Sequence, residues 1–166
     1  MKKGIVLLMT LAVSALLLAH GNEMKSTKIT VNGKNVQIDY GSPDLKGRNF
    51  SDTPVGTVWR MGADRTTTLA TEAALSFGDA KVPAGSYSLL AEKTAGDQWT
   101  LIISSEERPR GKNRDKEADV ATVLLKTATV EKSQQHLDIQ LKSDDDGTAL
   151  TVIWGTTQLS TAFSAE

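Results

Sequence analysis

From Ile29 onward the chain alternates apolar and polar residues with period two and shows almost no helical periodicity. Ile29 and Val31 lead into Asn32-Gly33, a dipeptide favoured in type I′ hairpins because both central residues need positive φ. Val36, Ile38 and Tyr40 then alternate with Asn35, Gln37 and Asp39, which predicts one buried and one wet face. Leu69 to Phe77 reads as one strand closed by Gly78-Asp79, and Val82-Pro83-Ala84-Gly85 as a tight connection. Tyr87, Leu89 and Ala91 share an inner face, as do Trp99, Leu101 and Ile103, with Ile102 apolar on the other side. Val120 to Leu125 is apolar on both faces, the pattern of a central strand. Leu137, Ile139 and Leu141 alternate with His136, Asp138 and Gln140. Asp146-Gly147 turns the chain into Leu150, Val152 and Trp154, and Thr157 to Phe163 reads as a last edge strand.

About eight to ten short strands punctuated by turn residues predict an all-β fold, an antiparallel β-sandwich of jelly-roll-like kind. Two segments break the alternation. Gly41 to Thr57, rich in Gly, Pro and Ser, reads as an ordered crossing loop. Glu106 to Asp119, charged at most positions around Pro109 and Gly111, reads as a solvated, mobile loop, with a binding flap as the sharper alternative.

The N-terminus follows a different logic. Met1-Lys2-Lys3 is a positive leader, Gly4 to Leu18 is an uncharged apolar run, and Ala19-His20-Gly21 sets small residues before a cut at Asn22. That is the layout of a signal peptide over residues 1–21, with an uncleaved anchor as the rival reading. The apolar run falls short of the roughly 20 residues that span a bilayer. The absence of cysteine at the cut excludes lipid modification there. The expectation is an exported domain, residues 22–166, in the periplasm or outside the cell, with no stable membrane insertion after cleavage.

Those 145 residues suit one domain and can bury a sizeable core. They carry 17 Lys and Arg against 20 Asp and Glu, a net charge of about −3, so a nucleic-acid partner is not expected. With no cysteine in the chain, disulfides and thiolate chemistry are excluded. Neither a phosphate-binding glycine loop nor a nucleophile elbow occurs, and no cofactor is implied. After residue 21 His136 is the only histidine, too little for a catalytic triad or a zinc site. Asp144-Asp145-Asp146-Gly147 has carboxylates for calcium but no Glu at EF-hand spacing, and reads better as an acidic hairpin turn.

One cluster does carry chemistry. Arg48, Arg60 and Arg65 are permanent cations able to grip carboxylate or phosphate, and Trp59 offers a flat platform for a sugar ring. Asp39 lies opposite Tyr40 on its strand, and Asp64 sits in a Gly-Ala-Asp turn. In a strand, either Trp59 or Arg60 faces inward. In one reading Trp59 is core, and Arg60 or Arg48 pairs with Asp64 or Asp39 to pin the crossing loop. In the other, Arg48, Trp59, Arg60, Asp64 and Asp39 line a ligand pocket.

Four stretches follow in order: YGSPDLKGR (Tyr40–Arg48), VWRMGADRTTTL (Val58–Leu69), VPAGSYSLL (Val82–Leu90) and WTLIIS (Trp99–Ser104). Together they resemble the exported bacterial domain of unknown function 2911 family over about Ile29 to Trp154. The resemblance implies an all-β exported domain, with no activity attached to the family. Where relatives place an Asn/Trp/Gly-containing aromatic segment after the tryptophan strand, Ser105 to Lys116 here is charged and lacks aromatics.

Three function classes follow. The first is a non-enzymatic binding or accessory module for a glycan or small anion. The second is a carbohydrate enzyme using Asp39 and Asp64 as acid and base, which requires both carboxyls across one cleft. The third is an envelope structural or interaction protein, which requires an exposed apolar patch or an open sheet edge.

Overall fold

The Asn32-Gly33 hairpin forms as the sequence predicts, with both residues at positive φ, 50° and 78°. It joins β1 (Glu23–Val31) to β2 (Lys34–Ser42) in a computed structural model that describes residues 22–166. The expected signal peptide and its rival, the retained anchor, lie outside the described residues. Eight more strands follow: β3 (Val58–Trp59), β4 (Thr68–Thr71), β5 (Leu75–Phe77), β6 (Ala80–Val82), β7 (Gly85–Ala95), β8 (Gln98–Ser104), β9 (Asp119–Asp144) and β10 (Gly147–Ala165). They pair in the order β1-β2-β4-β7-β8-β9-β10-β5-β6, with β3 on β7, and every pairing is antiparallel. The fold is an all-β antiparallel sandwich around one continuous apolar core.

Val36, Ile38, Tyr40, Leu89, Ala91, Trp99, Leu101, Ile103, Leu137, Ile139 and Leu141 all fall in that core, as their alternation predicts. A gap of only about 10 Å³ lies among Val36, Leu75, Leu101 and their neighbours, room for about one water at most.

Four expectations need correction. The stretch Leu69–Phe77 is two strands: β4 pairs with β2 and β7, whereas β5 pairs with β10 and β6. A corner at Glu72–Ala74 separates them, where Thr71 Oγ1 donates to Ala73 O (2.8 Å) and Asn35 N–H donates to Glu72 Oε2 (2.8 Å). Thr157–Phe163 is no edge strand. It continues β10 past a bulge at Gly155 (φ 63°), and β10 lies between β9 and β5. Val120–Leu125 is buried on one face only, since Val120 and Leu124 are 38% and 67% exposed. The fourth correction concerns strand length, because β9 and β10 run for 26 and 19 residues.

The length of β9 creates a hydrogen-bonding problem. Its first half pairs with β8, but beyond the bulge facing Gly155 its second half pairs with β10 alone. Unpaired backbone groups on such a buried edge are costly. Hydroxyls satisfy them here: Tyr40 accepts from Ile139 N–H (3.0 Å), Thr27 accepts from Leu141 N–H (3.1 Å), and Ser42 donates to Leu137 O (2.7 Å). The crossing segment adds backbone bonds, Leu45 N–H to Gln135 O (2.9 Å) and Leu137 N–H to Pro43 O (3.0 Å). Side chains of β1 and β2 thus dock on β9 where a further strand would otherwise pair.

Candidate functional site

The crossing segment Pro43–Thr57 is ordered by its neighbours. After docking on β9, it makes a 3-10 turn at Phe50–Asp52 and then returns to the sheet at β3. Lys93 of β7 holds the return. Its main chain bonds Gly56 N–H (2.6 Å) and Thr57 O (3.0 Å), and its Nζ donates to Ser51 O (2.7 Å). This lysine is only 5% exposed, and its charge lies 6.0 Å from the Trp99 ring centre.

The tethered turn presses Phe50 into three indoles. Phe50 stacks on Trp99 (5.1 Å between ring centres, 16°) and tilts against Trp59 (4.8 Å) and Trp154 (5.3 Å). Trp59 and Trp154 are themselves nearly parallel, 11° apart at 5.7 Å. Trp59 is half-buried and faces inward; its neighbour Arg60 is exposed, which resolves the conflict between them. Sequence alternation places Trp154 in the core, and it is buried, but its Nε1 has no hydrogen-bond partner among the described residues. A buried indole N–H ordinarily finds an acceptor.

Phe50, Trp59 and Trp154 floor an open cleft of about 430 Å³, with Trp99 packed beneath Phe50 outside its lining. Arg48 and Arg60 stand on its walls. Arg48 lies 5.7 Å over the Trp154 ring, and its Nε donates to Leu45 O (3.0 Å). That is a cation–π geometry, with the guanidinium held by a backbone carbonyl rather than by a carboxylate. No carboxylate, histidine or thiol lines this cleft among the described residues.

The two aspartates lie elsewhere. Asp64 (φ 65°) lines a second cleft of about 970 Å³ with Arg60, Arg65, Glu107, Arg108 and Arg110. Its Oδ2 accepts from the main-chain N–H of Asn22 (2.7 Å) and the side-chain amide of Asn22 (3.1 Å). These donors, with a smaller contribution from the nearby Arg60 charge, hold its carboxyl below the ordinary aspartate range. Asp39 accepts from Gln37 Nε2 (3.0 Å) and borders a groove with Lys25, Arg65 and Thr68. The structure therefore brings Arg48, Trp59 and Arg60 together and leaves Asp39 and Asp64 outside their cleft. Among the described residues neither Arg60 nor Arg48 forms an ion pair with Asp64 or Asp39, so the pinning expected of such a pair falls to Lys93 and to backbone bonds.

The turn itself is a backbone crossing. Ala63 N–H donates to Gly41 O (3.3 Å), Thr67 Oγ1 donates to Met61 O (2.9 Å), and Met61 is buried at φ 53°. Phe50, Trp154 and Lys93 join the site although residue type and alternation do not mark them for it. Phe50 carried one usable signal, as the only aromatic within the crossing segment.

The charged segment after β8 is also more ordered than its composition suggests. Arg114 and Asp119 form a nearly buried bidentate pair, Nε donating to Oδ1 (3.2 Å) and Nη2 to Oδ2 (2.9 Å), Pro109 is buried, and Ser88 Oγ reaches Glu106 O (2.7 Å). The acidic stretch 144–147 is the hairpin turn between β9 and β10, where Asp146 N–H donates to Asp144 Oδ1 (3.0 Å). His136 is exposed, with Nε2 4.0 Å from Asp44 Oδ2. Among the described residues no three His, Cys, Asp or Glu side chains gather as a metal-ligand set, and no helix is long and apolar enough to cross a membrane.

No curated protein and no solved structure matches the chain. A sequence model of one family, described as "Protein of unknown function (DUF2911)", matches residues 22–163, nearly all of the described chain, and the chain belongs to that family.

Proposed function

We propose that the domain acts after export, in the periplasm or outside the cell, as a non-enzymatic binding module that holds a glycan in the Trp59–Trp154 cleft. The observation that carries this reading is the pair of near-parallel indoles, fixed by Phe50 and flanked by the Arg48 and Arg60 guanidiniums. A mostly apolar recess with a few convergent polar groups is the usual form of a small-ligand site. Flat aromatic surface suits the apolar face of a sugar ring, and the guanidiniums offer donors to hydroxyl or carboxylate oxygens.

The enzymatic alternative needs two carboxyls facing one another across a single cleft. Asp39 and Asp64 border different grooves, and the carboxyl of Asp64 is held ionised by Asn22, the wrong state for a general acid. The chemistry lining the aromatic cleft favours holding a ligand over transforming it.

The reading is tested by a thermal-shift screen of the purified protein against neutral and acidic oligosaccharides, repeated with Trp59→Phe and Arg48→Ala. A sugar that raises the midpoint in the parent and does so less in both variants is the expected result. A screen without a hit, or a hit unaffected by either substitution, overturns it.

A further inference from the structure

We infer that the second cleft, between the Arg60–Thr68 turn and the charged segment 106–111, is a separate site for a ligand bearing at least two oxyanion groups, carboxylate or phosphate. Arg60, Arg65, Arg108 and Arg110 line it, with Asp64 and Glu107. The four guanidiniums make no salt bridge and no hydrogen bond to any described residue, whereas Arg114, three residues beyond Gly111, is fully engaged by Asp119. Four cations against two carboxylates leave a local charge of about +2 on a chain whose overall charge is −1. A positive concentration of this kind, set against the balance of the whole molecule, repels itself and is relieved by an anion.

The wall carrying Arg108 and Arg110 is built before any ligand arrives. Ser88 Oγ approaches both Glu106 O (2.7 Å) and Glu107 O (3.2 Å), and Asp115 N–H donates to Glu106 Oε2 (2.9 Å). Ser105 N–H donates to Ala118 O (2.8 Å), so the two ends of the segment are tied together. Pro109 is buried between the two exposed arginines, and Gly111 (φ 58°) sits against Val58 O. A loop held at so many points presents its guanidiniums at low ordering cost.

The chemistry of the ligand follows from the donors. A guanidinium offers a planar fork that matches carboxylate or phosphate bidentately. Four forks around a cleft of about 970 Å³ exceed what one small inorganic ion would use. A short polyanion fits them. Val58 and Arg60 border both clefts, so a bound polyanion would lie next to the aromatic floor without needing it.

The test is calorimetric titration of the purified protein with tripolyphosphate and, separately, with trigalacturonate, at low and at raised salt. The expected result is binding of at least one of them, weakened by salt and reduced about tenfold or more in Arg108→Gln/Arg110→Gln. The probe that binds tells the phosphate source from the carboxylate source. Arg65→Gln, on the opposite wall, provides a second variant should the loop double variant fold poorly, and it is expected to weaken the same probe. Binding of neither probe, salt-independent binding, or unchanged affinity in a folded variant overturns the assignment. Arg108 and Arg110 do not line the aromatic cleft, so their substitution is expected to leave neutral-sugar binding there unchanged, and this site stands or fails apart from the glycan reading.

Discussion

A methyl group on Gly41 would lie 2.0 Å from the carbonyl oxygen of Ala63, so the stretches YGSP and RMGAD meet backbone against backbone. Gly62 faces the same crossing, since a Cβ there would come 3.0 Å from the main-chain oxygen of Gly41 and 2.7 Å from the Thr67 hydroxyl. These glycines serve a crossing of main chains, and the turn that follows carries Asp64 into the second cleft, whereas Arg60 borders both.

Gly41→Ala is therefore expected to destabilise the fold by about 3 kcal/mol or more, since the obstacle is main chain and cannot swing aside. At this chain length that lowers the thermal midpoint by roughly 6–12 °C. Gly47→Ala meets open space at φ 73° and is expected to cost only the left-handed backbone preference, about 1–2 kcal/mol. Thermal unfolding followed by circular dichroism compares the two. Equal midpoints would contradict the crossing.

Tyr40→Phe removes the acceptor of a buried main-chain donor, Ile139 N–H. The expected cost is about 1–3 kcal/mol, more than loss of a solvent-facing hydroxyl would bring. Burial is the largest influence on Tyr40 and raises its pKa, so the phenol stays neutral and the hydroxyl keeps its role at ordinary pH. Amide hydrogen exchange reads the effect directly: Ile139 is expected to exchange faster in the variant, while Ile103 in the middle of the sheet changes only with global stability.

The alternation made most of this sandwich legible, and the exceptions have definite causes. Across the β4–β5 corner the burial of Leu69, Thr71, Ala73 and Leu75 continues at every second position, so the pattern passes through the bend without a mark. At Gly155 the buried positions switch from Leu150, Val152 and Trp154 to Leu159, Phe163 and Ala165, a change of parity that splits one bulged strand into two when read from sequence. The candidate site was half legible for a similar reason. Arg48, Trp59 and Arg60 stand out by residue type, but Trp154 alternates as ordinary core and Lys93 sits in an unremarkable strand. Their roles come from where the crossing segment lands, a tertiary fact that local pattern does not carry.

Acid is expected to loosen several loop anchors together. Asp64 is held down first by Asn22 N–H, Glu72 by Asn35 N–H, Asp44 by Lys46 N–H and Glu166 by Lys81. A carboxyl whose folded pKa is depressed contributes stability above its unfolded value of roughly 4, and loses it as pH falls through the lowered folded value. The thermal midpoint is thus expected to be flat between about pH 7 and 5 and to fall below about pH 4. Asp64→Asn and Glu72→Gln each flatten part of that fall. A midpoint that rises on acidification would contradict the anchoring.

Indole ¹⁵N resonances report most directly on whether the Trp59–Trp154 cleft holds a glycan. Titration with a panel of neutral and acidic oligosaccharides is predicted to yield a ligand that shifts the Nε1 signals of Trp59 and Trp154. Trp59→Phe is predicted to weaken that ligand while the fold is retained. A panel that moves neither indole, or a bound sugar that moves other resonances and leaves these two in place, would contradict the account.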